Sequence, residues 1–246
     1  MRGIFATLVR ELRAYFFSPL AYIVAAPLLL VNGFVFWLIV SYLNQPGVQI
    51  GAPLELFFGQ TIYFWLVLLF AAPALTMRLL SEERRSGTIE VLMTAPVTEG
   101  QVVLGKYLAA LLFYVFLWLP TSAYAGVLAY YGEVDWGPVA AGYLGILGIG
   151  ALFLSVGVLA SSLTRSQLVA AILAFSLLVP MFSFGLLENL FNDETLRQVL
   201  GYLNLWQHME DFSKGLVDTR RLVYYLSGTA LFLFLAARAL EAKKWR

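Results

Sequence analysis

The sequence predicts an all-α integral membrane protein with six transmembrane helices, and three observations support this prediction. Hydrophobic residues make up 61% of the 246-residue chain and charged residues only 13%, whereas soluble domains average about 45–50% and about 25%. The mean hydropathy is +0.80, and a soluble core of this length would not bury so much apolar surface. Six apolar stretches are long enough to cross a bilayer, and none of them contains Asp or Glu.

These stretches define the expected spans of a single membrane domain that covers residues 1–246. A helix needs about 20 apolar residues to cross a hydrocarbon core about 30 Å thick. The predicted spans are 20–42, 61–80, 107–131, 138–163, 167–187 and 222–240. The fourth span contains several glycines, namely Gly142, Gly145, Gly148, Gly150 and Gly157. Because small residues let helices approach closely, we expect this span at the centre of the bundle.

The distribution of Lys and Arg predicts the orientation. With both termini inside, twelve basic residues are cytoplasmic and four are external, whereas the reverse orientation places four inside. Loop 43–60 has no basic residue, and loop 132–137 carries only the acids Glu133 and Asp135. We therefore expect a multi-pass protein of the bacterial cytoplasmic (inner) membrane with cytoplasmic N and C termini.

Several kinds of chemistry lack the residues that they require. The chain has no cysteine, which excludes thiol catalysis, iron–sulfur clusters and disulfides, and its net charge of +1 does not favour nucleic acid. The only histidine, His208, cannot form a metal site alone, since such sites need several convergent ligands. Ser161, Ser162 and Ser166 have no His–Asp partner for a catalytic triad. We expect no catalytic site and no bound cofactor or metal.

An amphipathic helix is expected before the first span. The apolar residues of one helical face are Ile4, Phe5, Leu8, Leu12, Tyr15 and Phe16. The basic residues of another face are Arg2, Arg10 and Arg13. Helices of this kind lie in the membrane interface with their basic face toward anionic lipids. We predict an interfacial helix over residues 1–19 that anchors the chain and is also placed to contact a soluble partner.

The cytoplasmic segment 81–106 is too long for a minimal turn between the second and third spans. Gly87 is expected to end the helix of the second span, Thr88 to cap a short helix, and Pro96 to end it. The apolar side of this short helix is formed by Ile89, Val91, Leu92 and Met93. Two interpretations follow: a rigid lever that moves both spans when a partner pushes it, or a surface helix packed on its own bundle.

The run EERRSGTIEVLMTAP, followed by QVVLGKYLAA, resembles the signature of ABC-2 type transporter permeases. That signature is E-E-[KR]-x-x-G-T-[IL]-E-x-L-[LM], then a proline, then G-K at the start of the third span. The matching positions are Glu82, Glu83, Gly87, Thr88, Glu90, Leu92, Pro96, Gly105 and Lys106.

The resemblance extends over nearly the whole chain. The N-terminal ELRAYFFSPLAYIV, the run ASSLTRSQLVAAILAF at 160–175, and the final GLVDTRRLVYYLS and LEAKKW are similar to the permease subunit of gliding-motility-associated ABC transporters.

The resemblance implies an ABC-2, or type V, exporter fold with a cytoplasmic coupling helix between spans two and three. In that superfamily two permease protomers form the pathway, and two cytoplasmic ATPases bind ATP and magnesium and drive it. The implied partners are an ABC ATPase dimer, a second permease copy or homologue, and membrane lipids, but no nucleic acid. The implied ATPase-coupling residues are Glu82, Glu83, Arg84, Arg85, Gly87, Thr88, Ile89, Glu90, Leu92 and Met93, with Arg2, Arg10 and Arg13 in the N-terminal helix.

Within the coupling segment, two readings of the charged run 82–85 stay open. These side chains form either cross-subunit ion pairs or only a solvated charged surface. The resemblance favours the lever interpretation of the segment as a whole.

Residues 100–107 nearly match the phosphate-binding P-loop pattern, but we reject this match. Tyr107 has no aliphatic hydroxyl for magnesium, no strand precedes the segment, and it continues into an apolar span. ATP hydrolysis is therefore expected on a partner chain.

The external segment 188–221 is predicted to be helical. Asp193 is expected to cap a helix through Leu203, and Asn204 a second helix ending near Gly215. Their apolar side is formed by Leu196, Val199, Leu200, Leu203, Trp206, Met209 and Phe212. We predict re-entrant helices that dip into the outer leaflet; the alternative is a soluble cap on the periplasmic surface.

The function that these observations favour is that of a non-catalytic permease subunit of an ABC-2 exporter, which acts as a dimer. The main alternative is a mechanotransmission scaffold, in which ATP-driven bending acts on a periplasmic accessory protein and no substrate crosses. An ion-coupled carrier is disfavoured because such carriers place ionisable groups within the membrane, and these spans contain no acid.

Overall fold

The computed structural model describes residues 2–46, 53–87, 98–187 and 193–242, and the regular structure in these ranges is helical. The helices in chain order are α1 (Arg2–Phe16), α2 (Pro19–Leu43), α3 (Pro53–Glu55), α4 (Ile62–Thr76), α5 (Ser81–Ser86), α6 (Glu99–Trp118), α7 (Ser122–Tyr131), α8 (Trp136–Leu163), α9 (Gln167–Leu187), α10 (Glu194–Leu203), α11 (Leu205–Ser213) and α12 (Thr219–Glu241). A π-helical turn at Leu56–Gln60 precedes α4, and a 3₁₀ turn at Leu119–Thr121 joins α6 to α7.

The described residues contain six helical stretches that are long and apolar enough to cross a membrane, which confirms the predicted all-α, six-span class. They are Ala21–Leu43, Ile62–Ser86, Glu99–Tyr131, Trp136–Leu163, Gln167–Leu186 and Thr219–Glu241.

The helix of the third span begins at Glu99, before the residue at which that span was predicted to start, residue 107. Thr98 and Gln101 form a capping box, in which each side chain bonds the other residue's backbone, and this box starts the helix at Glu99. Residues 99–106 are therefore part of the spanning helix rather than of the connecting segment.

Helix α8 occupies the centre of the bundle, as its glycine content predicted. It packs against α4, α6, α9, α11 and α12. Its glycines face large side chains of different neighbours: Phe58 at Gly142, Met209 and Phe212 at Gly145, Tyr225 at Gly148, Tyr114 at Gly150, and Thr76 at Gly157. A Cβ on Gly148, for example, would lie 2.6 Å from a ring carbon of Tyr225. The glycines thus permit close approach of the surrounding helices.

Helix α1 and the end of α12 lie at the same end of the bundle. The Arg84 guanidinium of α5 donates to the carbonyl of Ala239, near the end of α12, over 3.5 Å. The adjacent Glu83 accepts a hydrogen bond from Arg10 of α1 over 2.7 Å. This arrangement agrees with an even number of crossings, while the assignment of this end to the cytoplasm stays a prediction.

The two helices predicted between the fifth and sixth spans are present. Asp193 caps α10, Asn204 caps α11, and the chain turns after α11 at Gly215, whose φ of +82° is in the left-handed region. The predicted apolar side is partly wrong: Val199 is 52% exposed, and Leu205, which the pattern omitted, is fully buried. The reason is that α11 packs against α8 and the π-helical turn, whereas α10 packs on α9.

The re-entrant placement of these helices stays a prediction, but the packing of α11 agrees with it. Met209 and Phe212 contact Gly145 of α8, nine residues after its start at Trp136. At a rise of about 1.5 Å per residue, this contact lies about 13 Å along α8.

Candidate coupling site

Four charged side chains from three helices form a compact cluster, which we call the α1–α5–α6 charge cluster. Lys106 of α6 lies 2.9 Å from a carboxylate oxygen of Glu11 in α1 and 2.9 Å from one of Glu83 in α5. Arg10 of α1 reaches the same two oxygens over 2.8 and 2.7 Å. Each carboxylate therefore bridges both cations, and the cluster links all three helices.

The local sequence explains why these helices meet. Thr98 sets the start of α6, which places Gly105 and Lys106 in its second turn. A Cβ on Gly105 would lie 2.8 Å from Thr7 Cβ and 2.9 Å from the carbonyl oxygen of Ile4. Because glycine has no Cβ, the α1 backbone approaches α6 closely enough for Glu11 to reach Lys106.

The cluster is charge-balanced and mostly shielded from solvent. The Lys106 side chain is 2% exposed and each carboxylate 15%, whereas Arg10 is 52% exposed. Burial alone raises the pKa of Glu11, but the charges and hydrogen bonds of Lys106 and Arg10 outweigh it and hold that pKa below its ordinary value. Desolvation works against Arg10 too, yet the two carboxylates raise its pKa. A buried charge without its partner is strongly destabilising, so the four groups depend on one another.

A second set of contacts fastens the end of α1 to the end of α4. The Tyr15 hydroxyl donates to the carbonyl of Leu75 over 2.6 Å. The Arg78 guanidinium donates to Ser18 Oγ over 2.9 Å and to the carbonyl of Ala14 over 3.2 Å, and it lies over the Tyr15 ring. Helix α1 is therefore attached to both helices that enter the segment between spans two and three.

A break between α4 and α5 is held by a serine of the central helix. Ser161 Oγ of α8 accepts from the backbone N–H groups of Leu80 and Ser81 over 3.0 and 3.1 Å, and it donates to the carbonyl of Met77 over 3.0 Å. Helix ends leave backbone groups without intrahelical partners, and Ser161 supplies partners at this break. Ser161, rejected as a catalytic residue, thus connects α8 to the base of α5.

The charge cluster lies at the base of the segment that the sequence analysis singled out. Helix α5 ends at Gly87, whose φ of +73° is in the left-handed region, as the prediction of a helix end there required. Helix α6 begins after Thr98. The predicted coupling helix falls between these points, and Thr88, Ile89, Glu90, Leu92 and Met93 lie outside the described residues.

The family comparison agrees with a helical bundle that has six candidate membrane spans. The model of the family described as ABC-2 family transporter protein matches residues 16–240. The chain belongs to the ABC-2 transporter family. It is a transmembrane permease of an ABC transporter, and membership implies an ABC ATPase partner and a lipid environment. No curated protein matches the sequence. The gliding-motility assignment is finer than this match and stays a prediction.

The structure of the permease unites some of the predicted site residues and separates others. Arg10 and Glu83 meet in the charge cluster, whereas Glu82, Arg85 and Arg13 are exposed and Arg84 turns toward α12. The side chain of Arg2 lies outside the described residues.

For Glu83, the predicted solvated charge is wrong, whereas the predicted cross-subunit ion pair stays a prediction. Its carboxylate is paired within the chain and mostly buried. Replacing Glu83 with lysine would therefore not be a neutral surface change. It would add a third cation to the cluster, beside Arg10 and Lys106.

Sequence reasoning missed Glu11 and did not give Lys106 a structural role. Two features of the sequence could have indicated these roles. Glu11 is the only acid before Glu55, and an apolar span follows directly after Lys106. A single acid in a basic, amphipathic helix and a single cation at the base of a span are each costly alone, and each indicates a partner. Residues 100–107, which resembled a P-loop, are helical, and the Lys106 amine is held by two carboxylates.

Proposed function

We propose that this chain is the permease subunit of an ABC-2 exporter in a bacterial cytoplasmic membrane. Two permease copies, or one copy and a homologue, form the translocation pathway, and separate cytoplasmic ATPases that bind ATP and magnesium drive it. The observation that carries this proposal is the α1–α5–α6 charge cluster, which joins the helices on both sides of segment 88–97 to the N-terminal helix.

In the proposed mechanism, the ATPase docks on residues 82–94 and displaces them as it closes. Helices α5 and α6 cannot separate without breaking the contact between Glu83 and Lys106. Helix α1 moves with them through Glu11, and α4 follows through Tyr15 and Arg78. Ser161 carries the displacement of the α4–α5 break to the central helix α8. A push at one segment therefore reaches spans two, three and four.

The outer surface of the bundle supports a lipid environment and a second protomer. The spans formed by α2, α9 and α12 are mostly uncovered by the rest of the chain. Only 22%, 17% and 17% of the residues in their most apolar stretches are buried. Large apolar side chains such as Leu30, Trp37 and Leu168 are exposed there. Contiguous apolar surface of this size needs lipid or another protein to cover it.

The experiment that tests this function reconstitutes the permease with its ABC ATPase in proteoliposomes. Association is measured by co-purification, and coupling by the stimulation of ATP hydrolysis that the permease causes. Lys106→Met should retain association but lose most of the stimulation, while Ile89→Asp should lose association. The matched control is Lys214→Met, which removes a partly exposed lysine paired with Glu210 at the other end of the bundle.

The results test two separate claims, the role of the charge cluster and the choice between export and mechanotransmission. Full stimulation by a correctly inserted Lys106→Met permease would contradict the role of the charge cluster. Stimulation of hydrolysis by a transported substrate supports export, whereas stimulation only by a periplasmic protein supports the mechanotransmission scaffold instead.

A further inference from the structure

A polar cavity lies between α10, α11 and the start of α12, at the end of the bundle opposite α1. Its volume is about 400 Å³. The lining residues that matter here are Tyr202, His208, Asp218, Arg220, Arg221 and Tyr224. We call it the α10–α12 cavity. The transport mechanism proposed above makes no use of it.

His208 forms a fixed wall of this cavity. Its Nδ1 lies 3.2 Å from the Tyr225 hydroxyl, and its ring also hydrogen-bonds the backbone of Tyr202. Burial, and then the neighbouring charge of Arg221, lower the pKa of His208 to about 4, so the ring is neutral at pH 7. The histidine thus ties α10 and α11 to α12 and adds no charge.

Two arginines give the cavity its electrostatic character. One guanidinium nitrogen of Arg221 pairs with Asp211, while its Nη1 is buried and has no hydrogen-bond partner among the described residues. Arg220 is exposed and makes no ion pair within the described part of the chain. The acid of the cavity wall, Asp218, already accepts a hydrogen bond from the backbone N–H of Arg220 over 2.8 Å. The two arginines beside the cavity therefore carry more donors than the described residues satisfy.

The depth of the cavity relative to the membrane indicates which anions are near it. Helix α8 has 28 residues, so it is about 42 Å long and extends beyond a hydrocarbon core of about 30 Å. The cavity lies at the first turns of α12, where that span begins, and beside Tyr202, which is 65% exposed. Tyrosine is enriched at the level of the lipid headgroups. Phosphate esters are the abundant anions of that layer.

We propose that the α10–α12 cavity binds a phosphate ester through Arg220 and Arg221. A planar guanidinium presents paired donors that match phosphate oxygens. If the Arg221 guanidinium turns toward the cavity when a phosphate binds, its unpartnered Nη1 gains an acceptor, which removes the cost of a buried donor without a partner. The phosphate belongs either to the headgroup of a membrane phospholipid or to a phosphorylated solute at the membrane surface.

Native mass spectrometry of the purified full-length permease tests this proposal without the ATPase, so its outcome is independent of the coupling mechanism. The probes are phosphatidylglycerol, diacylglycerol with the same acyl chains, and glycerol 3-phosphate. Arg220→Gln removes an exposed cation that makes no ion pair within the described residues, and Arg221→Lys keeps a cation for Asp211 but removes the planar fork. Lys214→Gln is the matched control, since that lysine lies near the same end but does not line the cavity.

We expect phosphatidylglycerol to bind the wild-type permease and Lys214→Gln equally. The affinity of Arg220→Gln and Arg221→Lys should each be about tenfold lower, as for the loss of a hydrogen bond to a charged group. Diacylglycerol, which has no phosphate, should bind all four proteins with the same affinity. Arginine-dependent binding of glycerol 3-phosphate rather than of the lipid assigns the phosphate to a solute. Equal binding of both phosphate esters by all four proteins would overturn the proposal.

Discussion

Lys106 of α6 donates a hydrogen bond to Glu11 of α1 over 2.9 Å, although 95 positions separate the two residues in the chain. Glu83 of α5 contacts the same amine over 2.9 Å. One lysine thus fastens the N-terminal helix to both helices that flank the segment proposed to receive the ATPase. The predictions below test this contact, its neighbours and the packing that positions it.

The first prediction concerns the amine of Lys106. Lys106→Met removes the buried one of the two cations that pair with Glu11 and Glu83 and leaves Arg10, so the free energy of unfolding should fall by about 3–5 kcal/mol. The double variant Glu11→Gln/Lys106→Met should recover part of this loss, because it removes an uncompensated carboxylate together with the amine. Unfolding in mixed micelles of increasing denaturing-detergent fraction measures the difference. Equal stability of the single variant and of Lys214→Met would contradict the prediction.

The second prediction is a pH dependence that Glu11 introduces. Its folded pKa lies below the ordinary value of 4.5, so the unfolded chain binds more protons near that pH. The stability that Glu11 contributes is therefore complete above pH 4.5 and is lost as the pH falls through the folded pKa. Thermal unfolding of the permease in detergent between pH 7 and pH 3 should show this loss. The loss should be smaller in Glu11→Gln, and identical pH profiles for the two proteins would count against it.

Ser161 and Ser162 provide a matched pair for the third prediction. Ser161→Ala leaves the N–H groups of Leu80 and Ser81 without the acceptor on α8, at a cost of about 1–3 kcal/mol. Among the described residues, the Ser162 hydroxyl bonds only the carbonyl of Leu159 within its own helix, so Ser162→Ala should change stability by less than about 1 kcal/mol. Ser161→Ala should also weaken the stimulation of ATP hydrolysis in the reconstituted complex. Indistinguishable stability and stimulation in the two variants would show that Ser161 does not hold the α4–α5 break.

The fourth prediction tests the close approach of helices at α8. A Cβ on Gly150 would overlap the Tyr114 ring, so Gly150→Ala should destabilise the permease by about 1–3 kcal/mol. Gly126 in α7 has open space around it, and Gly126→Ala should instead stabilise its helix by about 0.5–1 kcal/mol. Melting temperatures of the two purified variants in the same detergent give the comparison. A melting temperature of Gly150→Ala equal to that of wild type would mean that Tyr114 moves aside freely.

The fifth prediction is the topology. The bias of basic residues predicts that both termini are cytoplasmic and that loop 43–60 is external. A phosphatase reporter that is active only in the periplasm should be inactive when fused after Arg246 and active when inserted after Pro46. A fluorescent protein that folds only in the cytoplasm should give the opposite pattern. Periplasmic activity at the C-terminus would refute the orientation.

The sequence by itself determined the properties that depend on composition and on local chemistry. Apolar length alone identified six spans, because a bilayer accepts no shorter helix. The helix ends at Gly87, Asp193 and Asn204 were predictable since glycine and side-chain caps act within a few residues. The glycines of α8 indicated its central position, because small residues are needed only where other helices approach.

Only the tertiary structure decided which charges meet. The charged run 82–85 reads as one uniform surface, yet Glu83 alone enters the cluster while Glu82 and Arg85 face outward. Its cationic partners Arg10 and Lys106 come from distant parts of the chain, and their encounter depends on the close contact of Thr7 with Gly105. Ion pairing is set by distances in three dimensions and not by spacing along the chain, so neither the cluster nor the role of Ser161 could be predicted from residue order.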